Sequence, residues 1–291
     1  MAKTTIGSVQ YEIGPLKTKA AFWDQVNAHV RTAKENGVNL LMFPEYLTGH
    51  LLALEPEMST PDACAYLDRH TDEYMTTFTE ISRQTGMTIL GGTHIHKEND
   101  GYLNTAFLFF PDGRIERQTK IHPTPEERRT WFLTAGDSYS VYDTEHGKLA
   151  IQICYDIEFP EGSRIVADMG AEIILCPSYT DTAAGYWRVR HCSQARAIEN
   201  QLFVVLGGIV GELPHVPQID AGYCQAGFFA PSDHPFPASG TLAVGETNKN
   251  SVIIHTLDLE LIQENRKNGG VSPYFDRKTA LYDRYRTTSK A

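Results

Sequence analysis

Apolar runs of strand length alternate with amphipathic stretches of helical spacing along nearly the whole chain, and this alternation restricts the fold to the α/β class. The strand-like runs are Thr4–Gln10, Val38–Phe43, Met87–Ile95, Leu103–Phe110, Lys148–Cys154, Glu172–Pro177, Leu202–Gly207 and Ser251–Leu257. Between them, Lys17–Lys34 places Phe22, Val26, Val30 and Ala33 on one helical face, and Gly37 supplies a stop. Asp62–Thr85 and Tyr186–Asn200 read as helices in the same way, and a further helix is expected after Pro160. The Pro111-Asp112-Gly113 turn joins Leu103–Phe110 to Arg114–Lys120 as a hairpin, which sets Lys120 at a strand end. Residues 212–247 are rich in Pro, Gly and Ser without a period, and Gly269–Ala291 reads as extended and polar-aromatic. There is no internal repeat and no low-complexity run.

A chain of 291 residues, 41% of them hydrophobic, can bury a sizeable core as one domain. It has no unbroken apolar run of membrane-spanning length. The opening MAKTTIGSVQYEIGP lacks the basic-then-apolar pattern of a secretory signal, so a cytoplasmic location is expected. Five cysteines at unpaired spacings read as reduced thiols. The formal net charge of -10 argues against nucleic acid or an anionic membrane as partner and leaves small molecules as the expected ligands.

In α/β sheets, reactive groups gather beyond the carboxyl ends of strands. Three residues qualify: Glu45 after LLMFP, Lys120 at the hairpin end, and Cys154 after AIQI. Alone, each has an ordinary explanation, as a solvated turn acid, a surface lysine and a buried core thiol. His94, His96 and His122 have no accompanying ligand spacing that would make a metal site, so no metal is expected. Cys176 reads as core filling, with the mouth of a site as its alternative. Arg196 and Glu199 read as a structural ion pair at helical spacing. The serine-hydrolase elbow GxSxG and the phosphate-binding GxxxxGK[ST] are both missing.

The strings FPEYLTGH around Glu45, TKIHPTPEER around Lys120, CYDIEFPE around Cys154 and then ARAIENQLFVV follow one another in the order found in the nitrilase superfamily, which this chain resembles from about Thr4 to Asp258. The segment GELPHVPQIDAGYCQAGFFAPSDHPFPASG and the later SPYFDRKTALY resemble the branch often fused behind an acetyltransferase-like domain. The resemblance implies a four-layer α-β-β-α sandwich, with residues 1–268 as a carbon-nitrogen hydrolase domain. Residues 269–291 would then be a tail at the interface of a homodimer or higher homo-oligomer. It implies Cys154 as nucleophile, Glu45 as general base, and Lys120 with the Tyr155 backbone N–H as oxyanion hole. Glu127, preferred over Glu126, takes the place of the family's supporting carboxylate.

These roles suit the chemistry. An amide is a poor electrophile, so its hydrolysis needs a strong nucleophile, a group to move protons and a group to hold the developing negative oxygen. No cofactor is required. Tyr46 and Tyr179 are candidate substrate contacts beside Tyr155. The expected reaction is hydrolysis of a non-peptide amide through a cysteine thioester, giving an acid plus ammonia or an amine. The rivals are a nitrilase with the same triad, an acyl transferase, and an inactive binding protein of the same fold. Tyr155-Asp156 after the nucleophile, where many nitrilases of the family have Trp-Glu, favours the amide.

Overall fold

The computed structural model describes residues 3–55 and 57–285. In chain order the strands are β1 (Lys3–Ile13), β2 (Leu40–Met42), β3 (Thr88–Glu98), β4 (Gly101–Phe109), β5 (Ile115–Thr119), β6 (Val141–Thr144), β7 (Gly147–Ile151), β8 (Ile173–Ser178), β9 (Phe203–Glu212), β10 (Ala221–Gly222), β11 (Gly227–Phe229), β12 (Thr241–Val244) and β13 (Ser251–Asp258). The helices are α1 (Lys19–Glu35), α2 (Thr60–Asp68), α3 (Thr71–Thr85), α4 (Pro160–Asp168), α5 (Ala183–Asn200), α6 (Leu259–Asn268) and α7 (Thr279–Asp283).

The strands run β5-β4-β3-β2-β1-β9-β8-β7-β6, with β13 added on β1 and β11 on β9. The seam is β1. Its first half pairs in parallel with β2, Ile6 opposite Leu40, and its last residues pair in parallel with β9, Gln10 opposite Gly208. About this seam the sheet divides into two halves that pack face to face. Ile6, Leu40, Met42, Leu90 and Leu108 of one half share a core with Leu149, Ile151, Ile174 and Val204 of the other. Side chains alternate across a strand. The intervening Leu41, Phe43, Ile89 and Phe109 therefore face outward, onto Phe22 and Val26 of α1 and Tyr74 and Phe78 of α3. Val166 and Ala167 of α4 and Val189 and Ala197 of α5 cover the other outer face. The result is the four-layer α-β-β-α sandwich. Because its central parallel strands are buried on both faces, they are written as continuous apolar runs.

The local signals act as expected at several points. Thr18 and Thr182 cap α1 and α5 by accepting from the backbone N–H of Ala21 and Gly185. Gly113 takes φ +92 in the β4–β5 turn, where Phe109 faces Ile115. Among the described residues no helix is long and apolar enough to cross a membrane.

Four expectations are corrected. Asp62–Thr85 is two helices, broken at Arg69 and His70, where His70 leaves the helical region (φ -95, ψ 0). The apolar period runs through that break. Asp72 and Glu73, in the first turn of α3, were the signal of a new start. The run Lys148–Cys154 ends as a strand at Ile151, because the Asp156 carboxylate accepts from Ile153 N and draws the chain into a turn. Residues 259–268, not anticipated as helical, form α6 behind an Asp258 cap. The stretch after Gly269 is not simply extended: Thr279–Asp283 is a helical turn, and the Tyr274 hydroxyl donates to Asp168 Oδ1 at 2.9 Å. Residues 286–291 of the expected tail lie outside the described residues.

Candidate active site

Three separate chain reversals deliver the reactive groups. After β2 the chain turns at Tyr46, in the left-handed region at φ +56, into the tight helical turn Leu47–Leu54, leaving Glu45 at the bend. The bend lies close against β3: a Cβ on Gly92, which has φ +71, would meet the Pro44 carbonyl oxygen at 2.2 Å. Lys120 follows β5, its N–H donating to Asn104 O at 2.9 Å. Cys154 opens the 3₁₀ turn Cys154–Glu158 at φ +48, a conformation that costs a side-chain-bearing residue energy and presents it at the tip of the turn. Tyr155 follows as second residue of that turn, where backbone N–H groups point out of the helical end.

The Lys120 ammonium sits between two carboxylates, 2.7 Å from Glu45 Oε1 and 2.8 Å from Glu127 Oε2. All three side chains are almost wholly buried. Asn104 Nδ2 donates to both acids, at 2.9 Å to Glu45 and 3.1 Å to Glu127. Glu45 Oε2 accepts from the Tyr179 N–H at 2.9 Å. Glu127 also accepts from the Tyr46 hydroxyl at 2.5 Å and from Thr124 N at 2.7 Å. The Cys154 thiol donates to the Tyr179 carbonyl at 3.3 Å.

Burial sets the protonation states. It pushes the Glu45 carboxyl above the usual carboxylate range, against the pull of Lys120. Glu127 would rise for the same reason, but the charge and hydrogen bond of Lys120 and the donors from Tyr46 and Thr124 hold it low. Burial alone would lower Lys120, and the two carboxylates reverse this, so it stays an ammonium. The Cys154 thiol is pushed well up, first by burial and then by the Glu45 charge. A thiol in that state is a nucleophile only once a base takes its proton. Glu45 and the Cys154 thiol each perturb the other's proton affinity.

These groups form the floor of a cavity of about 460 Å³, a size suited to a small molecule. Tyr46, Tyr155 and Tyr179 all line it, as do Pro217, Gln218 and Asp220 from the aperiodic stretch. Of the adjacent glutamates, Glu127 is in the buried cluster while Glu126 stands exposed on the rim. Cys176 is fully buried and does not line the cavity, in keeping with core filling. Arg196 pairs with Glu199 at 2.9 Å and donates to the carbonyls of Ile157 and Glu158, bracing the cysteine turn. His94 is enclosed, its ring nitrogens bonded to Thr48 and Thr71.

A family model described as carbon-nitrogen hydrolase matches residues 5–267. The chain belongs to the carbon-nitrogen hydrolase family. Among curated relatives, the probable hydrolase YhcX of Bacillus subtilis is 44% identical over 276 residues, covering 94% of this chain and 53% of that protein, so the chain spans about half the length of that relative. An omega-amidase of Xenopus laevis is 27% identical over 217 residues, covering 70% of this chain and 74% of that one. Among solved structures, a carbon-nitrogen hydrolase from Helicobacter pylori has a TM-score of 0.81 at 20% identity, covering 98% of this chain and 99% of that one. A variant amidase from Nesterenkonia sp., with an acetamide moiety covalently added at its active-site cysteine, has a TM-score of 0.74 at 20% identity, covering 97% and 96%. At these identities the structural likeness concerns the fold.

Two residues of this cluster escaped the sequence reading. Asn104 is the buried amide that holds both acids, and its signal was a polar residue inside the apolar run of β4. Asp156 ties the cysteine turn to the lysine segment, accepting from His122 N at 2.8 Å, from the His122 ring at 2.9 Å and from Ile121 N at 3.3 Å. The His122 ring stacks on Phe159 at 3.8 Å. No local pattern could reveal either link, since each partner lies over twenty residues away.

Proposed function

We propose that the protein hydrolyses a small, non-peptide amide through a thioester on Cys154. Glu45 takes the thiol proton as sulfur attacks the carbonyl carbon, and the oxygen, now negative, is held by the Lys120 ammonium and the Tyr155 N–H. Glu45 then returns the proton to the nitrogen, the C–N bond breaks, and ammonia or an amine leaves. Water, deprotonated by Glu45, attacks the thioester to release the acid and restore the thiol. Glu127 and Asn104 keep Lys120 and Glu45 in register throughout. The observation that carries this reading is that Glu45, paired with Lys120 at 2.7 Å, and the Cys154 thiol line the floor of one cavity.

The amide is preferred to a nitrile because of the Tyr155-Asp156 pair after the nucleophile. Matched amide and nitrile substrates with the same side group test this by their kcat/KM ratio, and a consistent nitrile preference overturns it. Selective labelling of Cys154 by a thiol-reactive amide analogue separates an enzyme from an inactive binder of the same fold. We also place the chain in the branch related to acetyltransferase-fused hydrolases, on the resemblance of its GELPHVPQIDAGYCQAGFFAPSDHPFPASG and SPYFDRKTALY segments. We place it in the cytoplasm, as a homodimer to which residues 269–291 contribute. Phe275, Leu281 and Tyr282, exposed in the single chain, support that interface. Truncation after Gly270 is expected to lower the oligomeric mass in light scattering, and an unchanged mass counts against it.

A further inference from the structure

The catalytic cavity has a buried floor and an exposed rim, and the two differ in charge balance. Six carboxyl groups and two basic side chains line it. On the floor Lys120 answers Glu45 and Glu127, and toward the mouth Arg188 pairs with Glu158 at 3.4 Å. This leaves Glu126, Asp181 and Asp220, which come from three different loops and have no basic partner among the described residues. All three line the same mouth. After burial, the charges of Asp181, Glu127 and Asp220 push the Glu126 carboxyl up, and after burial the same three rim acids push up the Tyr179 phenol.

A second feature of the lining points the same way. Gln218 is 93% buried by its 7% exposure, and its Nε2 is committed to Met58 O at 2.7 Å and to Thr60 Oγ1 at 3.4 Å. That anchoring leaves the side-chain oxygen of this cavity-lining residue as an acceptor with no donor among the described residues. Three carboxylates and an amide oxygen make a mouth of acceptors. A ligand group that satisfies them must be rich in N–H donors and positively charged.

Resting on the reading of this site as an amide hydrolase, the geometry points to a substrate with a protonated amine at the end remote from its amide, an ω-amino amide. The amide lies on the floor against Cys154 and Lys120, and the ammonium lies at the rim among Glu126, Asp181, Asp220 and the Gln218 oxygen. An anionic substrate of the same length would set like charges against the rim, and a neutral one would leave the acceptors to water. The overall charge of -10 draws cations toward the mouth as well.

The test compares three amides of one length: γ-aminobutyramide, its uncharged counterpart pentanamide, and the anionic monoamide of glutaric acid. The expected order in kcat/KM is cation, neutral, anion, with about tenfold between the first two, carried by KM and shrinking as salt is raised. Replacing the rim charges together (Asp181→Asn with Asp220→Asn) should bring the ratio of γ-aminobutyramide to pentanamide close to one. A wild-type ratio at or below one overturns charge selection and leaves amide hydrolysis standing. If no amide is hydrolysed, the hydrolytic reading fails by itself, and calorimetric titration of Cys154→Ala with the same compounds decides the inference. Tighter binding of the cation, lost with the rim charges, supports it; equal or undetectable binding of all three overturns it.

Discussion

Among the hollows lined by the described residues, the one that gathers Glu45, Lys120, Glu127 and Cys154 is smaller than the groove beside α4. The catalytic cavity measures about 460 Å³, against about 830 Å³ for the groove between α4 and the C-terminal segment, lined by Arg164, Ile165, Asp168, Arg277 and Tyr282. Both contain ion pairs. In the groove the Arg277–Asp168 pair spans 2.8 Å, but the Asp168 side chain is half exposed. In the cavity the Lys120 pairs are of similar length and almost wholly buried. Water screens the first pair and lets either partner be lost at small cost, whereas the second has no water to fall back on and shifts every neighbouring proton. Volume therefore does not single out the proposed site; the convergence of buried, mutually dependent ionisable groups does.

The comparison breaks most sharply at the nucleophile. Cys154→Ala is expected to lower kcat by about ten-thousandfold or more, with thermal stability near the parent's, because the thiol's contribution is covalent. Turnover close to the parent's would remove the cavity from consideration.

Glu45→Gln should cost about 10²–10⁴ in kcat. In the parent, the Glu45 carboxyl must be ionised to accept the thiol proton, and burial raises its proton affinity. Activity should then fall as pH drops through a value above the ordinary carboxylate range. A kcat/KM profile with its acid limb at an unshifted carboxylate value would contradict the burial argument.

Asn104→Ala tests whether positioning matters as much as charge. It removes the donor shared by Glu45 and Glu127 without touching substrate, and is expected to lower kcat by about tenfold to a hundredfold. It should also move the acid limb upward, since Glu45 loses a donor to its charged form. A loss of stability with an unmoved limb would mark Asn104 as structural only.

The smallest effect is expected in the groove. Arg277→Ala should change stability by about 1 kcal/mol or less, measured by urea denaturation, and leave the kcat/KM of the parent. A change of catalytic size there would abolish the contrast.

Much of this was legible along the chain. The unbroken apolar run Val38–Phe43 marks a strand buried on both faces, and the helical period in Lys17–Lys34 sets which face of α1 is buried, because each is decided by backbone geometry within a few residues. The Pro111-Asp112-Gly113 turn set the β4–β5 hairpin and so the position of Lys120 at a strand end. Glu45, Lys120, Glu127 and Cys154 could be singled out from strings around them, and the structure brings all four into one cavity. The break at Arg69–His70 could not be read from periodicity, since two residues out of helix leave the apolar spacing on both sides intact.

What only the tertiary structure decided is which distant groups meet as ion pairs and hydrogen-bond partners. Glu45 and Lys120 are 75 residues apart in sequence, and their 2.7 Å contact depends on the strand order β5-β4-β3-β2 that carries both bends to one edge. The same holds for Asp156, which holds the lysine segment to the cysteine turn across 34 residues. It also holds for the three rim acids, each an ordinary surface carboxylate until its loop is placed over the cavity. Sequence determines local geometry because its causes are local. A pKa and a charge pattern are properties of burial and of distance through space, which exist only once the sheet has folded across its β1 seam.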